Sequence, residues 1–144
     1  MSFTGLDSMT ESFSAKWAPR LLSVVRIVFA FTFVVHGTQK LFGYPGNGQP
    51  FVHNWFTLFG WAGMIETVGG TLLLLGLFTR VVAFVTSGEM AVAYFTQHAP
   101  HGFWPLLNRG ELPVHYSFFW LYIALVGGGA WSMDALIRSR RRDA

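Results

Sequence analysis

Apolar residues fall into four blocks along the chain, at about 17–42, 56–78, 81–97 and 114–133, separated by segments rich in glycine, proline or charge. Each block is broadly hydrophobic rather than striped on one face, which is the pattern of a helix in lipid. A helix needs about 20 residues to cross the hydrocarbon of a bilayer, and each block reaches across or nearly so. Lipid offers no hydrogen bonds to a bare backbone, so each block must close its own. The expected fold is an all-α membrane protein, a four-transmembrane-helix antiparallel bundle without strands.

The connections between blocks refine this outline. The break at 77–80 is so short that the second and third blocks must form a tight hairpin, whereas 43–50 and the three-proline segment 98–113 read as loops. Gly60, Gly63, Gly69, Gly70 and Gly76 in the second block read as packing surface, because small residues let helix backbones approach in a bilayer. Residues 1–18 form an N-terminal tail, frayed or resting on the membrane surface, 19–137 the membrane domain, and 138–144 a basic tail. The first 18 residues lack the apolar core and cleavage site of a signal peptide and are expected to persist in the mature protein.

Composition agrees with a lipid environment, since 52% of the 144 residues are apolar and only 12% are charged, against roughly 25% charged in soluble proteins. Cysteine is absent, which removes disulfides, thiolate metal sites and cysteine nucleophiles from the chain's own chemistry. A redox role would need a borrowed electron carrier. Four of the ten basic residues lie in the last seven positions, so the positive charge reads as a topology signal and no nucleic-acid partner is expected. With an even number of spans, Lys16, Arg20, Arg80, Arg138, Arg140, Arg141 and Arg142 share one side. The positive-inside rule makes that side cytoplasmic. Both termini are then expected in the cytoplasm, with Lys40, His53 and 98–113 on the outer face of a cell inner membrane.

Charged groups inside a bilayer are costly and need a partner or a wet cavity. Glu89 lies roughly 13 Å along its helix from Arg80, near the midplane, Glu66 lies at similar depth, and Arg26 lies roughly 9 Å inward from Arg20. Arg26 is therefore expected either to snorkel outward or to reach Glu66 or Glu89, there to hold the bundle together or to serve a substrate or proton. Arg26, Ala30, Phe33, Gly37 and Lys40 share one face of the first helix with His36 beside it. Gly63, Glu66 and Gly70 share a face of the second, and Thr86, Glu89, Ala93 and Gln97 line up on the third. These faces are expected to meet inside the bundle. The five histidines fall in no ligand motif, and no metal site is expected.

Four segments, His36-Gly-Thr-Gln-Lys-Leu-Phe42, Glu66-Thr-Val-Gly-Gly70 running on to Leu75-Gly-Leu-Phe-Thr-Arg80, Gly102 to Glu111, and Gly127 to Ile137, together resemble the DoxX family in order and spacing. The resemblance covers about 20–137. It implies a small four-helix bacterial inner-membrane protein, related to the DoxD subunit of a thiosulfate:quinone oxidoreductase and to members linked with quinone detoxification and oxidative-stress complexes. Where the family tends to have Asn-Gly-Gly-Glu, this chain has Asn108-Arg-Gly-Glu111. If Glu111 keeps a family role, it acts at the start of the fourth helix, where a helix N-terminus favours negative charge.

The leading functional expectation is a redox-linked membrane component that holds a quinone or similar lipophilic molecule near Arg26, His36, Lys40, Glu66, Glu89 and Glu111, with Glu66 and Glu89 as candidates for catalytic proton transfer. A quinone is the one cofactor considered, and electrons would come from an oxidoreductase partner or from the substrate. Such a chain could be a subunit of a quinone-linked oxidoreductase. The competing expectations are a non-catalytic scaffold that docks an oxidoreductase, and a small-molecule or proton carrier working as a homo-oligomer.

Overall fold

The computed structural model describes the backbone of residues 3–142, and every regular element in it is helical. Helix α1 runs unbroken over Phe3–Phe42. The N-terminal segment is thus helical from Phe3 rather than a frayed tail, while Met1 and Ser2 lie outside the described residues. Pro19 sits within this helix. Its missing N–H leaves the carbonyl of Ala15 without its helical donor; the carbonyl of Pro19 itself accepts from Ser23 Oγ and from the Ala130 amide.

Helix α2 occupies Leu58–Leu75 and carries one π-turn, Ile65–Gly69. Helix α3, Thr79–Ala93, continues through a second π-turn, Tyr94–His98, and a 3-10 turn, Ala99–His101. Segment 98–113, expected as a loop, is largely helical turns: the short helix α4, Pro105–Asn108, follows, with a proline at its first position where the missing N–H costs nothing. Helix α5 spans Glu111–Val126 and α6 spans Met133–Arg142.

The fourth block was expected to continue to 133, but its helix ends at Val126. Gly127 and Gly129 have φ of 91° and 79°, values open to glycine and strained for other residues, and they turn the chain back across the bundle end. Of the basic tail expected at 138–144, residues 138–142 form the second half of α6, and Asp143 and Ala144 lie outside the described residues.

Contacts between rods run in opposite sequence order. On α1 and α2, Lys40 meets Glu66, Gly37 meets Gly63 and Thr67, Val34 meets Gly70, and Arg26 meets Leu73. Along α3, α5 and the residues that flank them, Tyr94 meets Gly110, Ser87 meets Ser117, and Thr79 meets Gly128. The two serines exchange hydrogen bonds, Ser87 Oγ to Ser117 O at 2.8 Å and Ser117 Oγ to Ser87 O at 3.0 Å. Between these pairs lies a core in which Phe33, Leu73, Ala83, Trp120 and Ile123 are fully buried.

Large apolar side chains are exposed on every long helix. Phe31 on α1, Val68 on α2, Phe84 and Phe95 on the α3 rod, and Phe118 and Leu125 on α5 are 59–70% exposed. Contiguous apolar surface of this kind suits hydrocarbon and not water. By length and hydropathy, Phe13–Phe42 and Leu58–Leu75 are each able to cross a membrane.

Candidate functional site

The C-terminal end of α1 and the middle of α2 come unusually close. A Cβ added at Gly37 would lie 2.6 Å from the Thr67 backbone nitrogen and 2.9 Å from the Gly63 carbonyl oxygen, so only glycine fits there. Lys40, one turn further along the same face, thereby reaches the π-turn of α2, and its Nζ donates to Glu66 Oε1 at 2.6 Å. Glu66 is 2% exposed. A π-turn inserts one extra residue and re-aims the side chains around it, which is why such turns gather at functional sites; here it carries Glu66.

Glu89 of α3 lies within electrostatic reach of both Glu66 and Lys40. One oxygen of each carboxylate, Glu66 Oε2 and Glu89 Oε2, is buried without a hydrogen-bond partner. Buried polar atoms are nearly always paired, so these two oxygens are exceptions, as are Thr79 Oγ1 and Trp120 Nε1 elsewhere in the helices.

Two cavities meet at Lys40. A cleft of about 270 Å³ between α2 and α3 is walled by Phe59, Trp61, Ile65, Val85 and Val92, with Lys40 and Glu89 at its polar edge. A smaller chamber of about 140 Å³ lies between α1, α3 and α5 and is lined by Lys40, Glu66, His36, Tyr116, His98 and Met90 among others. Lys40 and Ala93 line both cavities, whereas Glu66 lines the chamber alone.

The stripes expected from helical spacing do converge. Ala30, Phe33 and Gly37 are buried on α1, Gly63, Glu66 and Gly70 on α2, and Thr86 on α3. Arg26 departs from expectation. It pairs with neither Glu66 nor Glu89, and it lies fourteen residues from Lys40 along α1, roughly 21 Å at helical rise. Fully buried, it donates from Nε to Gly128 O at 2.8 Å, from Nη1 to the carbonyls of Leu73 and Leu74, and from Nη2 to Trp131 O at 2.9 Å. Leu73 and Leu74 are in the last turn of α2, where carbonyls run short of helical donors, although Leu73 O also accepts from the Gly76 amide at 3.1 Å. A guanidinium presents five N–H groups in a fixed fork and can satisfy several such carbonyls at once. Arg26 belongs to the frame and not to the cavities.

Glu111 is the first residue of α5, is exposed, and lines neither cavity. His36 borders the chamber with its ring edge-on to Tyr116, 6.2 Å between centroids. His98 also borders the chamber, and its Nδ1 lies 3.1 Å from Asn108 O, while His53, His101 and His115 are exposed.

Three residues with defined roles carried no strong signal in the sequence. Tyr116 sits in an aromatic run and bonds Thr32 Oγ1 at 2.6 Å. Asn108 organises the segment after α3: its Nδ2 donates to Gly102 O at 2.6 Å and its Oδ1 accepts from Gly110 N at 2.8 Å, while Tyr94 Oη donates to Phe103 O. Asp134 accepts from the amides of Phe78 and Thr79 at 2.9 and 2.8 Å, capping α3 from another element.

The sequence profile of the DoxX family matches residues 21–99, which include Lys40, Glu66 and Glu89. An uncharacterized protein of Haemophilus influenzae is 46% identical over 127 residues, covering 83% of this chain and 92% of its own length. An inner membrane protein of Escherichia coli, YqjF, is 29% identical over 81% of this chain and 92% of its own length. An uncharacterized membrane protein of Mycobacterium tuberculosis is 27% identical over 92% of this chain and 95% of its own length. No solved structure matches the chain. With an apolar exterior, two helices able to cross a bilayer and this profile over more than half its length, the chain is a membrane protein belonging to the DoxX family.

Proposed function

We propose that the chain is an inner-membrane component of a redox or oxidative-stress system and that it holds a quinone, or a similar lipophilic redox molecule, in the cleft between α2 and α3. In this reading the rods α1, α2, α3 and α5 each cross the bilayer, both termini are cytoplasmic, and the Lys40 end faces outward. The exposed apolar faces on all four rods support the crossings. The gathering of Arg80 and the four α6 arginines at the opposite end supports the orientation. Alkaline phosphatase fused to the C-terminus should stay inactive, and an active fusion would overturn the orientation.

The observation that carries the proposal is the presence of Lys40 and Glu89 in a mostly apolar cleft, which Thr96 and Gln97 also line, with Glu66 paired to Lys40. A flat apolar ring can lie against Trp61 and Ile65 while its oxygen meets the ammonium or a carboxyl proton, and a carboxyl at hydrogen-bond reach can pass that proton on. The chain supplies position and protons, and an oxidoreductase partner supplies electrons. A fully packed interior would have suited a docking scaffold better.

Trp61 gives the test a readout. Titration of the detergent-solubilised protein with decylubiquinone should quench tryptophan fluorescence saturably, and Trp61→Phe should remove most of that signal. Val92→Trp, which fills the cleft, should abolish saturation, and Glu66→Gln or Glu89→Gln should insert normally yet lose quinone-linked activity. Unchanged binding in Val92→Trp, together with full activity in both Gln variants, would replace this reading with the scaffold.

A further inference from the structure

Helix α6 does not continue the bundle. It begins after the Gly127–Gly129 turn and is fastened to the α2–α3 hairpin by three hydrogen bonds: the two from Phe78 N and Thr79 N to Asp134, and Asp134 N to Gly76 O at 3.0 Å. Its position at the Arg26 end is therefore fixed. Its composition is two-sided, with Met133, Leu136 and Ile137 exposed beside Arg138, Arg140, Arg141 and Arg142. An amphipathic basic helix held at the end of a membrane bundle lies at the level of the lipid headgroups.

Two crevices on this helix adjoin. One, about 510 Å³, is walled by Leu75, Trp131, Met133 and Leu136 and reaches Ala135 and Ser139. The other, about 240 Å³, is formed by Ala135, Ser139, Arg138 and Arg142. They share Ala135 and Ser139, so an apolar slot opens directly onto a pair of arginines one helical turn apart. Arg140 and Arg141 border neither crevice. Asp134, the acidic residue a turn before Arg138, is occupied by its two amides.

We infer that this composite surface is a binding site for an acidic glycerophospholipid, with the phosphate held between Arg138 and Arg142 and an acyl chain lying in the slot beside Trp131 and Leu136. Guanidinium groups match phosphate in a bidentate fork, and only an amphiphile fills both crevices at once. The inference rests on the membrane placement of the Arg26 end proposed above and not on the quinone reading.

The test uses the full chain in nanodiscs of phosphatidylcholine, titrated with phosphatidylglycerol, with inorganic phosphate as a separate arm. Phosphatidylglycerol should bind saturably and raise Tm, and phosphate at equal concentration should not. Arg138→Gln/Arg142→Gln should weaken binding roughly 30-fold, the product of about fivefold per arginine lost. Arg140→Gln/Arg141→Gln removes the same charge and should weaken it less than about fivefold. Equal loss in the two double variants would reduce the effect to general surface charge, and a Tm gain from phosphate alone would reduce it to an anion site; either result overturns the inference. Should the first variant fail to insert, absence of a phosphatidylglycerol preference in the unmodified protein would overturn it equally. Because the quinone cleft lies at the other end, fluorescence quenching by decylubiquinone is read independently.

Discussion

The ammonium of Lys40 and the carboxylate of Glu66 stand 2.6 Å apart, with the carboxylate almost fully enclosed and the lysine about one quarter exposed. The pair joins α1 to the π-turn of α2, with Lys40 lining both cleft and chamber and Glu66 the chamber. Removing one partner of a buried pair leaves the other uncompensated, which costs about 3–5 kcal/mol when both are fully buried. Lys40 retains some solvent, so Lys40→Met should cost nearer about 2 kcal/mol. The double replacement Lys40→Met/Glu66→Leu should recover much of that loss. A double-mutant cycle on thermal unfolding in detergent measures the coupling, and additive losses would show that the two groups do not stabilise each other.

Arg26→Lys should destabilise the protein severely although the charge is kept. The fork reaches four carbonyls from three nitrogens, and an ammonium on a shorter stem cannot span them. Two or more buried carbonyls lose their donor, each at about 1–3 kcal/mol. The expected outcome is a large fall in Tm with quinone quenching unaffected in whatever fraction remains folded. A mild effect would mean that water or a neighbour replaces the guanidinium.

Asp134 sets a pH dependence. Burial by itself would raise its pKa, but the hydrogen bonds from Thr79 and Phe78, with Arg138 nearby, outweigh burial and hold the carboxyl below its ordinary value. A lowered folded value contributes stability that is present above about pH 3.9, the unfolded value, and is lost as pH falls through the folded one. Asp134→Asn, which removes one anionic cap, should cost about 1 kcal/mol at neutral pH. The gap between it and the unmodified protein should narrow between neutral pH and a pH below about 3.9, the unfolded value. Unfolding curves at both pH values check this, and a gap that does not change with pH would contradict it.

Arg109 occupies φ of 59° at the end of α4, the left-handed region. A non-glycine residue there costs roughly 1–2 kcal/mol, part of which glycine would return as greater freedom of the unfolded chain. Arg109→Gly should therefore stabilise the protein by roughly 0.5–1 kcal/mol, visible as a higher Tm. A lower Tm would show that the arginine side chain makes a compensating contact.

The helical, lipid-facing character of this chain follows from its own residues. Blocks of 17 or more mostly apolar residues leave the backbone no option in hydrocarbon but internal hydrogen bonds, and the 3.6-residue period already places Gly37 with Lys40 and Gly63 with Glu66 on inward faces. The element ends and the pairing of charges were decided elsewhere. Pattern cannot show that the Gly127–Gly129 turn folds back to offer carbonyls to Arg26, so the arginine seemed to need a carboxylate when carbonyls at the end of α2 were nearer. Nor can pattern show the π-turn in α2, which adds a residue to one turn and aims Glu66 at Lys40. The tail was legible as basic but not as a fastened helix, because Asp134 finds its amides on α3, more than fifty residues away along the chain. Burial follows from local composition, whereas the choice of partner depends on which distant backbone groups are left unsatisfied once the helices have packed.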